Sequence, residues 1–245
     1  MLAGNESVRE GAWDMSPWEG AVPIGLFKGD HMDTVETAIG SEVFDISKDA
    51  LGDVEALCLQ SMQMSKDTIP ARFVETFEFT REGALEIFNC KAMYESFAID
   101  RIEGQQVHLQ NGAVLDSPVL AEALAGAKEV VAFAVTVHGF EEACQIAIHS
   151  GLLLTFFGAW GMGFSMGGQQ WLEAEIRTRA HEAGLYSGKS LCPGGEGVDM
   201  SLLEQLSDLI DLSKIDLKVL EGSIMRPTES VTGFIAISAD PDIEP

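Results

Sequence analysis

The sequence predicts an α+β fold in which a central antiparallel or mixed sheet is flanked by helices, because strand pairs joined by tight turns alternate with helical segments. Three local patterns carry this prediction. Asn111-Gly112 separates two short apolar strands, which is a strong two-residue hairpin signal. Ser117-Pro118 then begins a helix, since serine caps a helix and proline suits its first position. Residues 129–137 form a short, β-branched apolar run that is typical of a central strand.

The N-terminal part of the chain predicts one helix and one further strand. Between residues 44 and 64 apolar side chains recur at helical spacing, so we expect an amphipathic helix there. After Pro70, residues 72–79 alternate between apolar and polar side chains, the pattern of a strand with one buried face. Residues 1–25 contain tryptophan, proline and glycine without periodicity and predict an irregular arm or a flexible terminus.

Residues 143–172 contain no Asp, Glu, Lys or Arg, and the stretch is long enough to suggest a transmembrane span. Glycines crowd its second half, Gln169 and Gln170 follow, and no asymmetry of Lys and Arg marks an orientation. We therefore expect no membrane span. Residues 140–183 instead predict a buried helix, a glycine-rich turn and a second helix. The glycines do not reproduce the G-x-G-x-x-G dinucleotide fingerprint and favour close helix packing or a turn.

The last third of the chain predicts a loop, a helix and a terminal strand. Residues 188–198 are rich in glycine and form the loop. Leucines at helical spacing follow, and Ser201 with Glu204 three residues later makes a capping box for this helix. Residues 231–237 read as the closing strand of the sheet.

The charge and the cysteines limit the class of protein. The chain has 15 Lys and Arg against 39 Asp and Glu, a net charge of -24, so nucleic acids and anionic membranes are poor partners. The acidity serves solubility or docking to a basic face of a partner protein. No C-x-x-C pair occurs among the four cysteines, which argues against a zinc knuckle and a disulfide framework. With no secretory signal visible, we expect a cytoplasmic protein.

Two C-terminal segments carry a family resemblance. Residues 189–195 read KSLCPGG, and residues 220–233 read LEGSIMRPTESVTG. Together they resemble the activation domain of cobalamin-dependent methionine synthase, which has an R-x-x-P-G-Y loop followed by an E-S-x-M-x-P-x-x-S-V-S/T-G segment. The resemblance extends from about Asp100 to Ser238, and we take residues 100–245 as the activation domain-like region. Residues 1–99 add little to it and form an N-terminal region packed on, or part of, the same domain.

The resemblance implies a binding site for S-adenosylmethionine. It places Glu173 on a helix and Ser190, Cys192, Pro193, Gly194 and Gly195 in a loop as ligand contacts, with no catalytic residue and no metal ligand. A carboxylate suits a cationic sulfonium or an α-ammonium group. The alternatives from the residues alone are a solvated helix carboxylate for Glu173 and a small packing residue, rather than a catalytic thiolate, for Cys192. His138 and His149 are ordinary hydrogen-bonded histidines or metal ligands.

Two departures from the family pattern affect this site. Ser190 stands where the family has an arginine, and Gly195 stands where it has a tyrosine. Loss of a bidentate arginine removes a charge-assisted contact of about 1.5–3 kcal/mol. Lys189 supplies a positive charge without the planar fork. No tyrosine follows Tyr186 that could match a later ligand contact of the family.

The function that the resemblance implies is reductive remethylation in methionine biosynthesis or a related pathway. A free-standing activation protein would bind S-adenosylmethionine and dock on a corrinoid-carrying methyltransferase or a methionine synthase subunit. Cobalamin would reside on that partner, and a flavodoxin-like protein would donate the electron. The alternative is a non-catalytic module that contacts a corrinoid protein and has lost S-adenosylmethionine binding. A third hypothesis is an unrelated small-molecule enzyme that uses the glycine-rich region and binds a nucleotide.

Overall fold

The computed structural model describes residues 37–195 and 197–243, so the arm predicted for residues 1–25 lies outside the described part. In that part an antiparallel sheet of seven strands runs in the order β4-β3-β2-β5-β9-β6, and β1 pairs with the first half of β2. A separate hairpin is formed by β7 and β8. The strands are β1 (Ser41–Ile46), β2 (Asn89–Glu103), β3 (Gln106–Leu109), β4 (Val114–Asp116), β5 (Glu129–His138), β6 (Tyr186–Ser187), β7 (Lys218–Leu220), β8 (Ile224–Arg226) and β9 (Ser230–Ser238).

Helices cover both faces of this sheet. One face carries four helices and the opposite face carries the other two, which gives three layers. The first group is α1 (Val54–Ser61), α2 (Val74–Ile87), α4 (Phe140–Ile146) and α5 (Gly151–Glu182), and the second is α3 (Pro118–Ala123) and α6 (Ser201–Leu209).

Strand β5 lies at the centre and is buried on both faces. Val131, Phe133 and Val135 point into the core beneath α5, whereas Val130 and Ala132 point into the core beneath α6. Because successive side chains of a strand alternate between faces, a strand between two helical layers must be apolar throughout. The apolar run of residues 130–135 therefore has its physical reason in the three-layer architecture, and the polar Glu129 and Thr136 on either side of it are also buried.

The strongest local predictions are confirmed. The hairpin predicted at Asn111-Gly112 forms, and Asn111 Oδ1 accepts a hydrogen bond from the Ala113 amide. Its loop is longer than the two residues predicted, because β3 ends at Leu109 and β4 begins at Val114. Ser117 caps α3, since its Oγ accepts from the Leu120 amide at 3.3 Å. The predicted terminal strand is β9. Helix α6 also forms, but the Ser201–Glu204 capping box is wrong, because Met200 is the N-cap and Asp199 accepts from the Ser201 amide instead.

The strand predicted over residues 72–79 is wrong. This segment enters helix α2, in which Phe77, Thr80 and Ala84 are buried at spacings of three and four residues. Phe79, which the alternating pattern assigned to the buried face, is 54% exposed. Phe73 and Phe77 are four residues apart, so their spacing fits one helical face as well as one face of a strand. Eight residues are too few to separate the two periods.

The helix predicted between residues 44 and 64 is correct only in its second half. Residues 41–46 form β1, and Gly52 separates a short 3₁₀ turn from α1 with a φ of 70°. Asp53 caps α1 by accepting from the Ala56 amide at 2.9 Å. The break at Gly52 lets the chain leave the sheet edge and cross over it.

The glycine-rich turn predicted within residues 140–183 is also wrong, because α5 continues through it as one helix of 32 residues. The close packing predicted for its glycines is confirmed. A Cβ on Gly163 would lie 2.8 Å from the Val54 carbonyl oxygen, and one on Gly167 would lie 2.7 Å from that of Leu51. The glycines thus let the backbone of α1 approach α5. No helix in the described ranges is long and apolar enough to cross a membrane.

Candidate functional site

A cleft of about 280 Å³ lies between the C-terminal half of α5 and the segment that leaves β6. Helix α5 forms one wall, the edge segment at residues 187–190 forms the other, and Ile235 of β9 lies at the base. The lining residues on α5 are Met166, Gln169, Gln170, Glu173 and Arg177.

Helical periodicity explains why these five side chains share one wall. Their spacings of three, one, three and four residues place them on one stripe of α5. The adjacent stripe of the same half contains Leu172, Ile176 and Ala180, which are buried in the core between α5 and the sheet. The stripe that faces the cleft is therefore fixed by the burial of the other one.

The edge segment has an irregular register that opens the cleft. Ser187 pairs with Ile237, and Leu191 pairs with Phe234. Between these pairs, three residues of the edge segment (188–190) face two of β9 (235 and 236), which is a one-residue bulge. A bulge bends an edge strand and redirects its side chains. Lys189 and Ser190 lie in the bulge and line the cleft.

A hydrogen-bond network joins the helix to the loop. Gln169 Nε2 donates to Glu173 Oε1 at 2.8 Å, and it lies 3.4 Å from Ser190 Oγ and 3.7 Å from Cys192 Sγ. Three of the predicted site residues, Glu173, Ser190 and Cys192, are thus brought together around one amide. The sequence reasoning did not single out Gln169, although its position one turn before Glu173 on a helix is a signal that could have identified it.

Cys192 has the properties of a protonated packing residue. Burial, together with the nearby Glu173 carboxylate, raises the pKa of the Cys192 thiol to about 11. The thiolate is the nucleophilic form of cysteine, and electropositive surroundings are what favour it. The environment of Cys192 has the opposite sign, so it does not support a catalytic thiolate.

Pro193, Gly194 and Gly195 form a turn beside the cleft and are not among its described lining residues. The Gly195 amide donates to the Cys192 carbonyl at 2.9 Å, and the Gly194 amide donates to Val198 at 3.0 Å. Gly194 has a φ of 79°, and a Cβ there would lie 2.7 Å from Met200 Sδ. These residues shape the loop that holds Cys192 and Ser190.

The terminal segment supports the same loop from β9. The amide of Leu191 donates to Phe234, and the amide of Phe234 donates back to Leu191. A Cβ on Gly233 would lie 2.8 Å from the Leu191 carbonyl oxygen, so this glycine permits the close approach. His138, at the end of β5, lies with Nε2 3.0 Å from the Ile215 carbonyl oxygen, as an ordinary hydrogen-bonded histidine does.

Two cations line the cleft, and the sequence reasoning missed one of them. Lys189 belongs to the bulge, and Arg177 lies one helical turn after Glu173. In the part of the chain that the structure describes, neither makes an ion pair, whereas the neighbouring Arg179 pairs with both Glu42 and Glu175. Within the same part, no group of three or more His, Cys, Asp or Glu side chains could hold a metal ion.

The fold is similar to that of a solved protein described as "Crystal Structure of the MetH Reactivation Domain bound to AdoHcy". The two share 16% sequence identity with a TM-score of 0.60, over 82% of this chain and 79% of the other. Neither a protein-family model nor a curated protein matches the sequence. The α+β class with a central antiparallel sheet is confirmed, and the chain has the fold of the MetH reactivation domain.

Proposed function

We propose that the cleft binds S-adenosylmethionine and that the protein presents this ligand to a corrinoid-carrying methyltransferase for reductive remethylation. The observation that carries the proposal is the network in which Gln169 joins Glu173 to Ser190, both of which line the cleft, and also contacts Cys192, which is not among its described lining residues. The solved domain that shares the fold is described with bound AdoHcy, which is S-adenosylmethionine without its transferable methyl group.

The charge of the cleft suits such a ligand. The Glu173 carboxylate is held toward the loop by Gln169, so its position is fixed before a ligand arrives. At short range, and partly shielded from water, a carboxylate attracts a sulfonium or ammonium group by several times the energy available in bulk solvent. An oriented carboxylate also loses less rotational freedom on binding than a free one.

The chain's own contribution is binding and orientation. S-adenosylmethionine supplies the methyl group, and cobalamin on the partner is the acceptor in this proposal. The described residues would hold the ligand so that its methyl group faces the partner, which converts an encounter of two molecules into a positioned reaction. The acidic surface would dock on basic patches of the methyltransferase, so formation of this complex should weaken as the salt concentration rises.

Calorimetric titration with S-adenosylmethionine and AdoHcy tests the binding step. Wild-type protein should bind both saturably, and Glu173→Ala should bind about 10-fold to 100-fold more weakly, the loss expected for a charge-assisted contact. Glu182→Ala is the matched control, because Glu182 is an exposed carboxylate at the end of the same helix and does not line the cleft. Absence of binding by wild-type protein at millimolar ligand would remove this function.

A second candidate is a docking module that contacts a corrinoid protein without a methyl donor. It is favoured by the size of the cleft, since about 280 Å³ lies just below the range of roughly 300–1,000 Å³ that small-molecule sites occupy. Reductive methylation of a partner's cob(II)alamin, with one electron supplied by a flavodoxin-like donor, separates the two candidates. A methyl-donor protein makes the reaction depend on S-adenosylmethionine, whereas a docking module promotes complex formation without that dependence.

A further inference from the structure

We infer that the cleft recognises the zwitterionic amino-acid end of its ligand, with Arg177 and Lys189 binding the α-carboxylate and Glu173 binding the α-ammonium group. The inference deepens the proposed function and rests on it for the identity of the whole ligand. It assigns the ligand's orientation and a binding residue, Arg177, that lies on the helix and not on the loop.

The first observation is where the unpaired cations lie. With 39 acidic against 15 basic residues, a cation of this chain has many possible partners. Lys66 and Arg81 share Glu55, and Arg101 holds Asp100 and Glu103. Within residues 37–195 and 197–243, Arg177 and Lys189 have no such partner, and both line the same cleft. Other described cations, such as Lys128 and Lys218, also lack an ion pair but do not line this cleft. Arg177 and Lys189 therefore place two positive charges that no carboxylate neutralises beside one cleft, where they attract an anion.

The second observation is that Glu173 and Arg177 do not pair with each other. A glutamate four residues before an arginine on a helix is well placed for an ion pair. Here Glu173 Oε1 accepts from Gln169 at 2.8 Å, and no contact within 4 Å joins it to Arg177. The carboxylate is turned toward Gln169, one helical turn earlier, and the guanidinium of Arg177 remains available for another anion.

The positions of Glu173 and Arg177 along α5 let both side chains reach one α-amino acid. Four residues of helix separate the Cα atoms of Glu173 and Arg177 by about 6 Å along the axis. An amino-acid zwitterion with a hydrogen bond of roughly 2.8 Å at each end can bridge two side chains at this separation. Arg177 would bind the carboxylate through its planar fork, and Lys189, projecting from the bulge opposite, would add a point charge.

The same recognition chemistry would serve S-adenosylmethionine, AdoHcy or a free amino acid such as L-methionine. A comparison of ligands with and without the amino-acid end distinguishes these sources. 5′-Methylthioadenosine keeps the nucleoside and the sulfur but lacks both the α-ammonium and the α-carboxylate, so it contacts none of the three charges in this arrangement.

The test is calorimetry on the full chain with AdoHcy, 5′-methylthioadenosine and L-methionine. Arg177→Ala should weaken AdoHcy binding about 10-fold to 100-fold while leaving 5′-methylthioadenosine within about twofold of wild type. Arg177→Lys should recover part of the loss, because charge is restored without the fork. Lys189→Ala should have a smaller effect of the same selectivity. Arg179→Ala is the control, since Arg179 already pairs with Glu42 and Glu175.

The outcomes separate this inference from the proposed function. Wild-type binding of AdoHcy that Arg177→Ala leaves unchanged overturns the inference and retains the proposed ligand. Equal weakening of AdoHcy and 5′-methylthioadenosine also overturns it, because Arg177 would then act on the fold of the cleft. If wild-type protein binds neither nucleoside ligand, the proposed function is wrong. In that case, L-methionine binding by the wild type that is lost in Arg177→Ala would still support recognition of the amino-acid zwitterion. If the wild type does not bind L-methionine either, the inference is overturned as well.

Discussion

The two halves of helix α5 have opposite compositions and opposite tasks. Residues 151–168 contain six glycines and no Asp, Glu, Lys or Arg, whereas residues 169–182 contain no glycine and five such charged residues. In the first half, the glycines allow the backbone of α1 and side chains of the sheet to come close to the backbone of α5. The second half exposes a polar stripe to the cleft. Because α5 is one continuous helix, the packing of its first half also fixes the position of its second half, which carries the site.

The comparison shows how a helix poor in helix-forming residues is maintained. Each interior glycine costs about 1 kcal/mol relative to alanine in an exposed helix. In the first half, close contacts with α1 offset this cost, since only glycine admits the carbonyl groups of Leu51 and Val54 so near. The second half contains Glu, Gln, Arg and Ala, which form helices well, and it leaves its outer side chains free for binding.

The largest expected effect comes from removing the packing role of one glycine. Gly163→Ala places a methyl group 2.8 Å from the Val54 carbonyl oxygen and 2.9 Å from the Cys58 amide nitrogen, so α1 must move. We expect the free energy of unfolding to fall by about 1–3 kcal/mol in urea denaturation. Gly158→Ala is the matched control, because nothing lies within 4 Å of its added methyl group. It should raise stability by about 0.5–1 kcal/mol, and equal effects of both changes would contradict the packing account.

The second prediction concerns the charge that the polar half of α5 imposes on the loop. The pKa of Cys192 rises from 9.0 to about 11, so its thiolate fraction at neutral pH falls about a hundredfold. Iodoacetamide labelling followed by mass spectrometry should show Cys192 reacting about a hundredfold more slowly than a free cysteine. Glu173→Gln should speed this reaction, because the Glu173 carboxylate is one cause of the raised pKa. Glu182→Gln should leave it unchanged, and rapid labelling of wild-type Cys192 would refute the assignment.

The apolar half of α5 should produce a pH dependence through Glu229. The Glu229 side chain lies against Gly161, and burial, with the nearby Glu141 carboxylate, raises its pKa above the ordinary value. A raised carboxyl pKa in the folded state favours the protonated form, so its contribution to stability is full below the unfolded pKa and is lost as pH rises through the folded one. Glu229→Gln should therefore gain stability relative to wild type, by about 1 kcal/mol or less, as pH rises from about 4 to 7. Chemical denaturation at several pH values measures this difference, and a gap that shrinks with rising pH would contradict the sign.

The smallest effect is expected from a charge pair outside both the packed surface and the cleft. Arg179 joins the second half of α5 to Glu42 of β1, with 38% of its side chain exposed. Arg179→Ala should lower stability by about 0.2–1 kcal/mol, because exposed ion pairs are weak. The loss should shrink in 1 M salt, as screening predicts. A loss above about 2 kcal/mol that salt does not change would show that packing of the Arg179 stem, and not charge, is responsible.

The parts of the fold that the sequence predicted correctly depend on local signals. Asn111-Gly112 indicates a hairpin, Ser117-Pro118 indicates the start of a helix, and residues 129–137 are too short and too β-branched for a buried helix. The Asn-Gly signal located the hairpin but did not fix the length of its loop. The segments predicted wrongly lacked such signals. The alternation at residues 72–79 fits two periods, and glycines that suggest a turn in isolation are tolerated in a helix once α1 packs on them.

The sequence by itself determined the α+β class and the central and terminal strands, because turn chemistry, capping and apolar runs act within a few residues. The candidate residues Glu173, Ser190 and Cys192 came from the family resemblance and not from such local patterns. The tertiary structure alone decided that Gln169 joins those three residues and that Arg177 and Lys189 share their cleft. These contacts connect α5 to an edge segment about twenty residues later. Their geometry is set by the glycine-mediated docking of α5 and by a one-residue bulge against β9. Such long-range packing leaves no periodic pattern in the sequence, since it depends on which surfaces meet after folding.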